Sequence, residues 1–404
     1  MIAKLKNLGP GLLFAGAAIG VSHLVQSTRA GADFGLGLIW ALLLVNVFKY
    51  PFFQYGPRYA TATGESLLEG YLKLGKGVLA VYFILSLGTI FTIQTAVTIV
   101  TAGLASSLFG TFISLEVWTV IILAISLSLL LLGKYKLLDR LMKIIIITLT
   151  LSTLAAVSVA LYNNTNKFSF RQVLPGSSLE IAFLIAFMGW MPAPLDIAVW
   201  QSLWSLEKSK DTKNYTTKSA LFDFNVGYIG TIILGISFVL LGTLVMYNSG
   251  EAFSNKASIF SVQLIQIYTK SLGDWAYVII GIAAFTTMFS TTLTTLDASP
   301  RAMAKATQLL FKNNTKLNYA FWIGLLTVGT LGVFFFLASE MGLLIKIATI
   351  LSFVTAPFYA IINYLLISSK HTPVKYRPSL ALHILSISGI LFLIGFSVWF
   401  FTIL

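Results

Sequence analysis

The stretch Phe187-Met188-Gly189-Trp190-Met191-Pro192-Ala193-Pro194-Leu195-Asp196 lies inside an apolar segment that runs from about Leu179 to Trp204. Two prolines one residue apart cannot sit in an undisturbed helix. Each lacks an N–H, so Pro192 leaves the carbonyl of Met188 without its helical partner, and Pro194 does the same to Trp190. Met191 and Ala193, each preceding a proline, are pushed out of the α region. The segment therefore reads as a helix broken near its middle. Backbone freed in this way is tolerated at membrane depth only where it is buried in protein or lines a cavity. A carboxylate, Asp196, opens the second half-helix. The pattern is that of a transport site.

Composition places that break in a membrane. Hydrophobic residues make up 57% of the 404 and charged residues only 10%, and the mean hydropathy is +0.87; such values belong to polytopic membrane proteins. The chain has no cysteine, which excludes disulfides, thiolate metal sites and cysteine nucleophiles. Met1-Ile-Ala-Lys-Leu-Lys before an apolar run resembles a signal peptide, but no small-residue cleavage site follows and Ser22, His23 and Gln26 interrupt the run. It reads as a retained first span. With three histidines (His23, His371, His383), no nucleotide loop, no convincing triad and no multi-histidine motif, an enzyme is disfavoured and no cofactor is expected.

Eleven segments are long enough to cross the hydrocarbon core, near 10–28, 36–56, 77–104, 113–133, 138–162, 179–204, 220–247, 274–296, 319–338, 342–367 and 380–403. An amphipathic piece near 257–270 is expected on the surface. With the N-terminus inside, the inner segments carry 20 Lys and Arg, the outer ones 5 (Arg29, Lys167, Arg171, Lys256, Lys270), and Lys49 and Lys346 fall within spans. The positive-inside rule then puts the N-terminus in the cytoplasm and the C-terminus outside. The same asymmetry accounts for the net charge of +13 without nucleic acid; the expected partners are the lipid bilayer and a transported ion or small solute. A bacterial inner membrane is the expected location.

Gly20-Val21-Ser22-His23 in the first span and Gly189 to Asp196 in the sixth are both interrupted at mid-membrane, with five spans between their starts. Paired broken helices point to inverted repeats with a substrate bound between them. Polar residues elsewhere form stripes: Gln94, Thr98 and Thr101 in the third span; Thr287, Ser290, Thr291, Thr294 and Asp297 in the eighth; Ser352, Thr355, Tyr359 and Asn363 in the tenth. Such stripes face the bundle interior. They serve either a shared polar cavity or hydrogen bonds between packed helices.

The order of motifs resembles the Nramp (natural resistance-associated macrophage protein) divalent-metal transporters. Gly9-Pro10-Gly11-Leu12-Leu13 and Ala30-Gly31-Ala32-Asp33-Phe34-Gly35 are similar to that family's first span and following loop. Met191-Pro192 matches its Met-Pro in the sixth helix, Ser290 to Leu296 its Ser/Thr-rich eighth, and Ala356-Pro357-Phe358 the Leu-Pro-Phe of its tenth. The resemblance implies an all-α, LeuT-type fold: one membrane domain with a five-helix repeat at 10–162, an inverted one at 179–367 and an extra helix at 380–403. The departures fall on the chemistry. The family's Asp-Pro-Gly-Asn lands on Gly20-Val21-Ser22-His23, its Met-Pro-His on Met191-Pro192-Ala193, its acidic pair in the third helix on Gln94 and Val97, and the glutamine of its tenth on Thr355.

The resemblance implies alternating access, with a bundle holding the broken helices rocking against the rest. The expected cargo is a metal ion at a non-standard site, with His23 and Met191 as ligands and Gly20, Gln94, the Met188 carbonyl, Trp190, Asp196 and Thr355 around it. Imidazole and thioether suit a transition metal; packing roles for His23 and Met191 stand beside this reading. The alternative is a sodium- or proton-coupled symporter of a small organic or anionic solute. Ser290, Thr291 and Thr294 facing carbonyls near Ala17 to Gly20 would then hold sodium, and Trp190 and Phe187 would pack on the solute. A sensor or scaffold without transport is a third reading. Asp223, Asn225 and Asp297 are candidates for coupling or gating, and Arg301 offers Asp297 a plain i,i+4 pair.

Overall fold

In the computed structural model the described residues are 8–110, 112–132, 135–163, 169–212, 215–247, 249, 253–311, 316–337 and 341–402. Of the residues in the charge count, Lys4, Lys6, Lys134, Lys167, Lys213 and Lys312 lie outside them, as do the side chains of Lys136, Arg140 and Lys143.

Among the described residues the chain is helical throughout. α1 (Pro10–Ala18), a π-helical turn (Ser22–Ser27) and α2 (Thr28–Phe34) form the first span; α3 (Ile39–Thr63) is the second. A short helix α4 (Leu67–Leu74) leads into α5 (Lys76–Phe109), α6 (Leu115–Leu132) and α7 (Tyr135–Asn163). α8 (Ser178–Trp190) and α9 (Ile197–Asp211) are the halves of the sixth span, followed by α10 (Thr217–Val245) and α11 (Ala257–Leu272). α12 (Ala276–Leu310), α13 (Tyr319–Leu337), α14 (Met341–Ser368) and α15 (Leu380–Phe401) complete the chain. Among the described residues seven helices are long and apolar enough to cross a membrane, and the pair Pro10–Ala18 and Ser22–Phe34, bent by 47°, makes one more. Each expected span coincides with a helix or a broken pair.

Three differences have local causes. α12 does not stop at 296 but runs to Leu310, because Pro300 costs only one backbone bond and Asp297 is paired where it is buried. α4 went unread because eight residues are too few for a periodic signal; a capping box between Ser66 and Glu69 starts it. α11 is no surface piece: Phe260, Leu264, Ile265 and Tyr268 are fully buried. The Tyr268 hydroxyl lies 3.1 Å from that of Thr153 in α7. Its apolar face is covered by protein rather than lipid.

Proline spacing decides which helices break. Pro51 and Pro57 lie inside α3, Pro300 inside α12 and Pro357 inside α14, and these helices continue through them. At Pro192 and Pro194 the helix ends: Met191 is extended (φ −91°, ψ 120°) and the Met191–Pro192 peptide is cis. A single proline removes one bond that neighbours can replace, whereas two in three residues remove two bonds from the same turn.

The first and seventh spans pack backbone to backbone. A Cβ on Gly227 would lie 2.0 Å from the carbonyl oxygen of Gly11, and one on Gly31 2.1 Å from that of Val239. Small residues allow such approach where no hydrophobic effect drives helices together. Overpacking at such a contact costs about 1–3 kcal/mol, so Gly227→Ala should lower the thermal midpoint measured in detergent. Gly230→Ala, on the same helix with nothing within 4 Å of its Cβ position, should leave the midpoint unchanged or slightly raised. Equal effects from the two substitutions would disprove the close contact.

Candidate functional site

The two breaks face one another, and donors on the first span, α3 and α12 take up several of the carbonyls around them. At the first break the Ala18 carbonyl accepts from the Ser22 hydroxyl at 2.6 Å and lies 3.1 Å from His23 Nδ1. The Thr291 hydroxyl reaches the Gly16 and Ile19 carbonyls at 3.2 and 3.4 Å. At the sixth-span break Lys49, from α3, donates from Nζ to the carbonyls of Met188 (2.8 Å), Gly189 (2.7 Å) and Ala193 (3.4 Å). The Met188 oxygen that Pro192 sets free is thus bound by an ammonium, at the C-terminal end of α8 where the helix dipole favours a positive charge.

Between the breaks lies a small cavity. Ala17, Ala18, Val21 and Ser22 line it from the first span, and Trp190, Ala193, Pro194, Ile197 and Trp200 from the sixth. Ile93 and Val97 of α5 and Thr291 and Thr295 of α12 close it. Its water-accessible space is about 20 Å³, room for roughly one water molecule. The lining is apolar except for three hydroxyls, and no carboxylate borders it.

Of the residues named from sequence, Ala17, Trp190, Thr291 and the residues flanking Gly20 converge here. Gly20 itself presses on Thr291, whose Oγ1 and Cγ2 would both lie 2.9 Å from a Cβ. Trp190 is fixed by its indole N–H, which donates to Ser352 Oγ at 2.8 Å. His23 turns away from the cavity. Its Nε2 lies 2.9 Å from the Thr231 carbonyl and its Nδ1 2.7 Å from Ser22 Oγ, so both ring nitrogens are engaged. Met191 is fully buried, and its sulfur and the His23 ring both approach the space over Gly235, 3.4 and 3.8 Å from a Cβ there. Among the described residues no three His, Cys, Asp or Glu side chains come together.

The other named residues serve packing or lie below the cavity. Gln94 bonds the Thr295 hydroxyl at 2.6 Å and the Thr292 carbonyl at 3.3 Å, and Thr101 bonds Thr292 at 2.8 Å. Gln94 and Thr101 of the third-span stripe thus tie α5 to Thr292 and Thr295, which lie outside the eighth-span stripe; of that stripe, Thr291 reaches the first span and Asp297 pairs with Arg301. Thr294 and Thr355 bond carbonyls of their own helices. Met188 and Phe187 are fully buried, Phe187 stacking on Phe183 at 6.3 Å. Ser290 is buried on α12 at 3% exposure and is not among the cavity-lining residues. Asp297 pairs with Arg301 at 2.7 Å, as the i,i+4 spacing indicates, and also accepts from Tyr319 at 2.7 Å. Asn225 accepts from the Tyr50 hydroxyl at 2.9 Å.

Asp196 is buried, and its Oδ1 has no hydrogen-bond partner. It lies within electrostatic reach of Tyr71, Tyr82 and Tyr359, a cluster joined by ring contacts of 5.6 and 5.9 Å. Asp223 accepts from the N–H groups of Gly9 (3.1 Å) and Gly11 (2.9 Å), tying the N-terminus of α1 to α10. Sequence reasoning missed Lys49 and Trp200. Lys49 entered only as a charge within a span, although an ionisable residue inside a membrane helix is by default functional; Trp200 gave no signal, since only the break turns it toward the cavity.

The family model described as natural resistance-associated macrophage protein-like matches residues 11–402. The uncharacterized protein PM0681 of Pasteurella multocida (strain Pm70) is 35% identical, with 98% of this chain and 92% of that protein covered. The manganese transporter of Eremococcus coleocola, solved with an aromatic bis-isothiourea substituted compound, superposes with a TM-score of 0.72 at 13% identity, covering 99% of this chain and 94% of that one. MHP1, a nucleobase-cation-symport-1 family transporter, gives 0.61 at 14% identity over 97% and 92%. With these neighbours the fold is that of LeuT-type membrane transporters, and the match over nearly the whole chain shows that this protein belongs to the Nramp-like family.

Proposed function

We propose that this chain is a secondary transporter working by alternating access, with its cargo held in the cavity between the breaks of the first and sixth spans. The observation that carries the reading is that cavity, lined by residues of two interrupted helices and of the third and eighth spans. We take 10–162 and 179–367 as the two repeats, 380–403 as an added helix, and the N-terminus as cytoplasmic. Asp223 is the inner latch: its carboxylate holds the end of α1 that has to move for the cavity to open on that side.

The geometry best supports a small, largely apolar solute carrying no net positive charge. Two indoles and aliphatic side chains with three hydroxyls suit such a cargo. A dication finds no carboxylate there, and it would meet the Lys49 ammonium bound to the carbonyl of the lining residue Ala193. Metal transport is the second reading. It rests on family membership and on Met191 and His23 lying together over Gly235; a metal there requires His23 to release one of its present partners. We assign coupling to protons at Asp196, where a proton on Oδ1 would give that buried oxygen the bond it lacks.

Calorimetry of the purified protein with Mn²⁺ and then Zn²⁺ separates the cargoes. The solute reading expects no saturable heat from a folded sample, and a stabilising hit in a thermal-shift screen of small organic solutes. Metal binding that weakens in both His23→Ala and Met191→Ala would reverse the order of the two readings.

The latch can be read in the cysteine-free background. Each charge-assisted bond lost in Asp223→Ala is worth about 1.5–3 kcal/mol, and 1.4 kcal/mol is tenfold in an equilibrium. Thiol labelling of Ala18→Cys in the cavity wall should therefore speed up by about tenfold or more in Asp223→Ala. An unchanged rate in a folded sample would remove Asp223 from the gate. Once a cargo is identified, Asp196→Asn in proteoliposomes should still bind it but no longer respond to a proton gradient; a full response would exclude Asp196 from coupling.

A further inference from the structure

We propose that the ammonium of Lys49 is a tethered cation, filling the position for a monovalent ion that the broken sixth span creates and making the carrier independent of any inorganic ion there. The inference rests on the transporter reading and adds to it what occupies the oxygen cage beside the cargo cavity.

Lys49 is fully buried, inside α3. Among the described residues no carboxylate pairs with it. Its partners are three carbonyl oxygens, at 2.8, 2.7 and 3.4 Å. An ammonium has three N–H donors and no acceptor, so the donor set and the oxygen set match in number. Two of the oxygens come from the last turn of α8 and the third from Ala193 within the break. The charge therefore ties the end of the first half-helix to the extended segment that follows it. A cluster of backbone carbonyls at a helix C-terminus is also how membrane proteins bind alkali ions. Here the cluster is occupied by a group that cannot diffuse away.

The tether also stays with the cage. α3 packs on α9 so closely that a Cβ on Gly56 would lie 2.4 Å from the Ala198 carbonyl oxygen. Lysine and break belong to one packed unit, and the ammonium can remain in place while that unit rocks. A free ion would have to bind and leave in each cycle. This arrangement satisfies the carbonyls permanently and sets a positive charge beside the cavity, which disfavours cationic cargo.

The test uses the full chain in detergent, without cargo, in choline chloride, whose cation is too large for the cage. The thermal midpoint of the wild type should not change when Na⁺ or K⁺ replaces choline. Lys49→Ala should melt lower and, as a small ligand fills a vacated site, recover at least about half of the loss with ethylammonium or Na⁺. If Lys49→Ala does not fold, Lys49→Gln, which keeps a neutral donor, should show the same gain on ion addition. A saturable Na⁺ or K⁺ stabilisation of the wild type would overturn the proposal, because the ion site would then be open. So would a folded Lys49 variant that responds to ethylammonium and Na⁺ no more than to choline, since the lysine would then be a packing contact only. Neither result requires transport, so the outcome is independent of whether the alternating-access reading holds.

Discussion

Backbone oxygens without helical partners, deep in a membrane, are what the rest of this structure is arranged to satisfy. Each would cost several kcal/mol if left in hydrocarbon. At the first break the supply comes from hydroxyls, Ser22 of the span itself and Thr291 of α12. At the sixth-span break it comes from the lysine of a neighbouring helix. The interrupted helices can exist because Ser22 lies beside the first break and α3 and α12 bring Lys49 and Thr291 to the two breaks. The cavity is the space left between the two satisfied breaks.

By the motif resemblance, the family's carboxylate and amide positions in the first span fall on Gly20 and His23, and its histidine position after Met191-Pro192 falls on Ala193. Ala193 contributes its carbonyl to Lys49 and its small side chain to the cavity wall. By the same resemblance its acidic pair in the third span falls on Gln94, which bonds α12, and Val97, which lines the cavity. The lining holds no carboxylate, and an ammonium lies beside it. The fold persists because it depends on the breaks being satisfied and on glycine contacts such as Gly11 with Gly227, not on which charge does the satisfying.

The remaining polar residues divide by where their hydrogen bonds end. Thr101, Thr292 and Thr295 bond between α5 and α12 and hold those two helices together as a support. Asp196 and the tyrosines around it lie off the cavity, with one carboxylate oxygen unpaired. An unpaired buried oxygen is the group with most to gain from a proton or a ligand. This is why Asp196, rather than any of the hydroxyl stripes, is given the coupling role.

The sequence by itself determined the eleven spans, the break at Met191 to Asp196 and the membrane class, because length, apolarity and proline spacing are local properties that a helix in lipid must obey. The motif order also carried the family. It could not determine which side chains meet. A stripe on a helix looks the same whether it faces a cavity or another helix, so Gln94 and Thr355 read as site residues although one bonds α12 and the other its own helix. His23 stands at the first break as its position implied, yet turns toward Thr231. Lys49 and Trp200 were placed by the tertiary structure alone, 139 residues separating Lys49 from the Met188 carbonyl it binds. Contacts of that range depend on how the helices pack, which no local pattern in the chain specifies.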